Sequence, residues 1–166
     1  MLAFWLLVIG VVSRLVVHAW NFTPVIALAL FGGVYLKKKQ ALILPLALLA
    51  VSDIILGFHE TMFFTWGTIL LIVGIGFWVR KNKNLTTVVA GGLASAVLFF
   101  ITTNFGVWLV SGMYPMTWAG LTECFVLAMP FFRNELLSTF IYGVVLFGGY
   151  EAVAAWAKNT RLSHVL

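Results

Sequence analysis

Charge is what this chain has least of. Only 9% of its 166 residues are Asp, Glu, Lys or Arg, and just five of those are carboxylates. A water-soluble domain carries roughly a quarter, so that class is excluded. The lone Cys124 rules out an intrachain disulfide. No polar linker interrupts the chain, so residues 1–166 read as one domain. No Lys/Arg run is interleaved with aromatics, which removes support for nucleic-acid binding. Phosphate-cradling glycine turns, paired-histidine helices and nucleophile–base spacings are also missing. Neither an ATPase nor a bound cofactor or metal is indicated.

What the chain has instead is apolar sequence, 63% of the whole. It divides into six runs of about the length that a bilayer core requires. They extend from Leu2 to His18, Pro24 to Leu36, Ala41 to Leu56, Met62 to Val79, Leu85 to Leu109 and Asn134 to Ala157. The first lacks a basic leader and contains Arg14, which marks a retained helix and not a removed signal. Thr23-Pro24 looks like an N-cap followed by proline at the first helical position. Between the fifth and sixth runs, Thr117 to Met129 reaches only about 20 Å as a helix. Pro130 is expected to end it, and Asn134 to cap the sixth run with Glu135 in its first turn. The expected fold is therefore an all-α integral membrane protein of six transmembrane helices plus one short non-spanning helix.

Alternating six spans places Lys37, Lys38, Lys39, Arg80, Lys81, Lys83, Lys158 and Arg161 on one side. By the positive-inside rule that side is the cytoplasm, with both termini in it. The same rule accounts for the net charge of +5. Gly32-Gly33, Gly74 with Gly76, Gly91-Gly92 and Gly148-Gly149 fall in the cytoplasmic halves, where small residues let helices approach closely.

The other end collects the unusual polar residues, centred on the stretch from Ser52 to Trp66. Arg14 and Asp53 can neutralise each other or meet a ligand, since an uncompensated charge there costs several kcal/mol. Asn21 and Asn104 suit backbone caps as well as ligand contacts. Trp20, Trp66, Trp108 and Trp118 suit an aromatic belt or a stacking site. His18, His59 and Cys124 share this end, where they are conceivable ligands for a metal-bearing substrate, although no metal spacing is present. Arg133 is explained by snorkelling to headgroups. A smooth inner end and a polar, aromatic outer end suit a receptor that captures a ligand from outside. Asn21, Asp53, His59, Trp66, Asn104, Tyr114 and Trp118 are expected to border one outward-opening cavity.

Arg14, the word Asn21-Phe-Thr-Pro24-Val, the small-residue helix ending at Gly32-Gly33, Ser52-Asp53 leading into Leu56-Gly57, and Trp66-Gly67 together resemble the membrane S-components of energy-coupling-factor (ECF) vitamin importers. The likeness is closest to a small uncharacterised bacterial family grouped with them. It covers most of the chain loosely and residues 14 to 67 best. The resemblance implies a six-helix substrate-binding subunit of the bacterial inner membrane, with an outer pocket for a vitamin or similar compound. It implies a membrane scaffold subunit and two ATPases as partners, and toppling in the membrane to release substrate. The Ala-x-x-x-Ala docking word of the first helix in several S-components is absent here. Its nearest equivalents are Ala29 with Gly33, and Gly92 with Ala96.

Two other classes compete with this binding reading. An intramembrane enzyme would use Asp53, His59 and Glu60 as acid–base groups, though they have no evident nucleophile. A structural or assembly subunit would work through its glycine faces. A cavity in the outer half favours a receptor, whereas a solid interior favours an assembly subunit.

Overall fold

In the computed structural model, residues 2–16 and 21–158 are described, and every regular element among them is helical. The helices are α1 (Leu2–Val16), α2 (Val25–Tyr35), α3 (Lys38–Leu56), α4 (Met62–Lys81), α5 (Leu85–Val110), α6 (Trp118–Gly143) and α7 (Gly149–Lys158). A π-helical segment, Val144–Gly148, joins α6 to α7 without a break. Four helical stretches, α3, α4, α5 and Trp118–Trp156, are long and apolar enough to cross a membrane. Phe4–Val16 and α2 are apolar but shorter. The all-helical expectation holds, and four of the expected spans have the required length.

The separate helix before the sixth run does not exist. Pro130 lies inside α6, which continues through it. Proline forfeits only its own N–H bond to the preceding turn, and apolar helices absorb that loss when neighbouring groups satisfy the freed carbonyl. Asn134 and Glu135 are consequently mid-helix residues and not a cap. The cap of α6 is Thr117, whose hydroxyl oxygen accepts from the Gly120 N–H at 3.2 Å. At α2, Pro24 occupies the cap position and Thr23 contributes no capping bond; the Pro24 carbonyl accepts from Leu28 N–H at 2.8 Å.

The bundle is built around α2. Its sequence is apolar on every side, which is the pattern of a helix with no solvent face, and every residue from Val25 to Val34 is buried. It touches α1, α3, α4, α5 and α6. Its tightest contact is with α4, at Gly33 and Gly76. A Cβ on Gly33 would stand 2.7 Å from the Gly76 Cα, and one on Gly76 equally close to the Gly33 Cα. The obstruction is backbone, which cannot swing aside, so only glycine fits. The remaining surface is studded with large apolar side chains, among them Phe63, Leu85 and Val144. A soluble monomer rarely exposes so much apolar surface; a helix bundle in lipid does.

The two ends of the bundle differ. At one end Arg80 closes α2: its Nε donates to the Val34 carbonyl at 2.8 Å and its Nη2 to the Leu36 carbonyl. These are carbonyls a helix C-terminus leaves unpaired. Lys83 pairs with Glu151 and lies 4.7 Å from the Tyr35 ring centre, beside a cluster of Phe31, Phe147 and Tyr150. Lys37, Lys38 and Lys39 begin α3 at this same end. The opposite end holds the C-termini of α1, α3 and α5 and the N-termini of α2, α4 and α6.

The glycine contact has a measurable consequence. Gly76→Ala should lower stability by roughly 1–3 kcal/mol through overpacking. Gly74→Ala, two residues away with nothing within 4 Å of a new Cβ, should be neutral or slightly stabilising because alanine is the better helix former. Thermal unfolding of the two variants in detergent checks this.

Candidate functional site

The end away from the lysines is organised by a buried ion pair. Helix α3 stops at Gly57, whose φ of +98° lies in the left-handed region that favours glycine. One turn before that stop stands Asp53, 1% exposed. Arg14, from the last turn of α1, brings Nη1 to 2.8 Å from Asp53 Oδ1. The same nitrogen donates to Ser52 Oγ at 2.6 Å, so Oδ1 takes the charge without a well-aligned hydrogen bond. Trp66 of α4 donates its indole N–H to Asp53 Oδ2 at 2.9 Å. Three helices are thus tied through one carboxylate. Removing one partner of such a pair strands a buried charge, at a cost of roughly 3–5 kcal/mol.

Arg14 is also the floor of two adjoining cavities. The larger, about 470 Å³, is bordered by Asn21, His59, Phe99, Asn104, Tyr114 and Phe131 among others. The smaller, about 160 Å³, runs deeper and ends at Glu135. Arg14, Asn21, Thr65 and Phe99 line both, so the two adjoin. The rim carries His59 from the α3–α4 loop and Met113 and Tyr114 from the α5–α6 turn. That turn is held by Trp108, whose indole N–H donates to the Pro115 carbonyl at 3.0 Å. The far wall is fixed by Cys124, whose thiol donates to the Asn104 carbonyl at 3.4 Å. Thr68 and Thr102 pair their hydroxyls at 2.6 Å and hold α4 to α5.

Most of the residues expected at this end do meet. Arg14, Asn21, His59, Asn104 and Tyr114 border the cavity. Asn21 adopts a φ of 57°, a region that asparagine tolerates better than most side chains. Asp53 and Trp66 lie behind the wall, where they hold Arg14 and each other. Trp118 is 85% exposed at the start of α6 and stands apart from the cavity. His18 and Trp20 lie outside the described residues. Partial burial, with smaller contributions from Cys124 and Glu123, raises the Tyr114 phenol above its ordinary range, so it stays a neutral hydroxyl.

The residues read as docking surfaces sit elsewhere. Ala29, Gly33, Gly92 and Ala96 are all buried among this chain's own helices, because α2 occupies the centre that their small faces line. His59 and Glu60 are exposed on the α3–α4 loop while Asp53 is sealed beneath it. These three do not converge on a common space. Among the described residues, no group of three or more His, Cys, Asp or Glu side chains is placed to hold a metal ion.

One site residue escaped the sequence reading. Glu135 is 3% exposed, and its Oε1 is buried with no hydrogen-bond partner. Its signal was available: an acidic residue within an apolar run is costly and marks function by default. The neighbouring Asn134 made a helix cap look sufficient.

No curated protein and no solved structure matches the chain. A family model described as a family of unknown function, DUF6580, matches residues 1–162. That match takes in both ends of the bundle and every residue of the cavity, and the chain belongs to this family.

Proposed function

We propose that this protein is a multi-pass membrane receptor that binds a small organic molecule at its extracytoplasmic end and serves its uptake. The observation that carries the reading is the pair of adjoining cavities at Arg14, the smaller of which reaches Glu135. Apolar and aromatic side chains such as Phe99, Leu127 and Phe131 share their walls with polar groups such as Arg14, Asn104 and Glu135. Apolar walls with converging polar groups are what ligand sites generally offer. In this reading α1 and α2 complete six membrane crossings. The short α2 can do so because it is surrounded by other helices and meets lipid nowhere along its buried length. The lysine-rich end is cytoplasmic by the positive-inside rule, which puts both ends of the chain there and the cavity outside. The resemblance to S-components of ECF vitamin importers supports a vitamin-like substrate and a bacterial inner membrane. A scaffold subunit with two ATPases would supply the energy. Docking on it would use the exposed lipid-facing surface of the bundle, since Ala29, Gly33, Gly92 and Ala96 are buried among this chain's own helices.

Native mass spectrometry of the full chain, extracted in mild detergent, tests the receptor. A small organic molecule should co-purify. Asn104→Leu and Tyr114→Phe should each weaken its retention by roughly 1–3 kcal/mol, the cost of one buried polar contact. Trp118→Ala should leave retention unchanged. Equal retention in all three variants would place the ligand elsewhere. For the orientation, an impermeant thiol reagent applied to right-side-out vesicles should label a cysteine placed at His59 and not one at Lys38. Labelling of both from one side would contradict the six-crossing arrangement.

A further inference from the structure

One part of the polar lining of the cavity, around Glu135, offers acceptors that the protein leaves unused. Thr103 spends its hydroxyl proton on the Phe99 carbonyl at 2.7 Å, and Thr65 spends its own on the Thr61 carbonyl at 3.3 Å. Asn104 spends an amide proton on the Phe100 carbonyl at 2.7 Å. Each bond turns a donor back into its own helix and leaves oxygen lone pairs for the cavity. Glu135 adds a carboxylate whose Oε1 nothing in the protein meets. Among the described residues Arg14 is the one Lys or Arg side chain of the lining, and Asp53 pairs with it at 2.8 Å. When Glu135 is ionised, Arg14 against Asp53 and Glu135 leaves the site one negative charge in excess, and a bound cation is what would hold it in that form.

We infer that the cavity takes an organic cation, a protonated amine or an N–H-bearing cationic heterocycle, whose charged head meets Glu135 and whose apolar body lies along Phe99 and Phe131. The inference rests on the receptor reading above. A buried carboxylate is tolerable when an opposite charge completes it, and a ligand cation supplies both that charge and an N–H donor for the unpartnered Glu135 Oε1. Aromatic faces add attraction for a desolvated cation. An anionic ligand would face an ionised Glu135, and Arg14 would have to share its charge between that ligand and Asp53.

Three probes that share one aromatic body and differ in charge test this: tryptamine, its neutral alcohol analogue tryptophol, and the anion indole-3-acetate. Binding to the full chain in non-ionic detergent at neutral pH is followed by isothermal titration. Tryptamine should bind at least tenfold tighter than tryptophol, and indole-3-acetate weakest. Glu135→Gln keeps the shape of the side chain and removes its charge. It should abolish the tenfold preference while leaving tryptophol affinity within about twofold, which also shows that the variant is folded. Preference for the anion, or a tryptamine preference that survives Glu135→Gln, would overturn the charge assignment and leave the receptor reading standing. No binding of any probe to the wild-type chain, with no co-purified molecule in the cavity, would overturn both.

Discussion

Asp53 is the group on which the outer end of this protein depends. In a chain with so few charges, a carboxylate this deeply buried is a liability unless it is fully occupied. It is occupied by Arg14 from α1 on one oxygen and by Trp66 from α4 on the other. The arrangement fixes where three helices end relative to one another. It also sets Arg14 in place as the floor of the cavity, so the geometry of the candidate site follows from an interaction the ligand need not touch. Lipid gives helices no hydrophobic reason to associate, which raises the weight of such polar ties and of close backbone packing. Gly33 against Gly76 does at the inner end what Asp53 does at the outer one.

A division of labour follows. The inner half is tightly packed where α2 meets α4: α2 is buried from Val25 to Val34, that contact admits no side chain, and Arg80 closes its C-terminus. In the outer half the helices diverge around Phe99 and Glu135 and leave space. A receptor needs this combination, because a rigid base holds the walls of a cavity apart when it is empty. Among the described residues Glu135 Oε1, like Asp53 Oδ1 and Thr139 Oγ1, is buried without a hydrogen-bond partner, but Glu135 has no ion pair to offset its charge as Asp53 has. A buried unsatisfied group of this kind calls for an explanation.

Much of this was legible from residue order. Apolar runs separated by Lys-rich or Gly/Pro-rich turns mark five of the helices to within a few residues, since hydropathy dominates where lipid is the solvent. The sequence also places Arg14 and Asp53 at the same end of their spans, which leaves pairing or ligand contact open, and the fold pairs them. Pro130 misled because a proline that ends a helix in water can sit inside one among apolar neighbours. That one misreading moved Glu135 from the middle of a helix, where its charge is a problem to be solved, to a first turn, where it looks ordinary. Trp66 and Trp118 show a different limit. Both are tryptophans at the outer end, yet one ties down a carboxylate and the other is exposed, and only the rotation of each helix about its axis decides which.

The central claim is that the space between Arg14 and Glu135 holds a small organic molecule. A high-resolution structure of the full chain, purified from its own membrane without added ligand, addresses it most directly. The account predicts density for a compact molecule in contact with Phe99 and Asn104, with a nitrogen within hydrogen-bonding distance of Glu135. Side chains filling that space, or a lipid acyl chain threaded through it, would contradict the account.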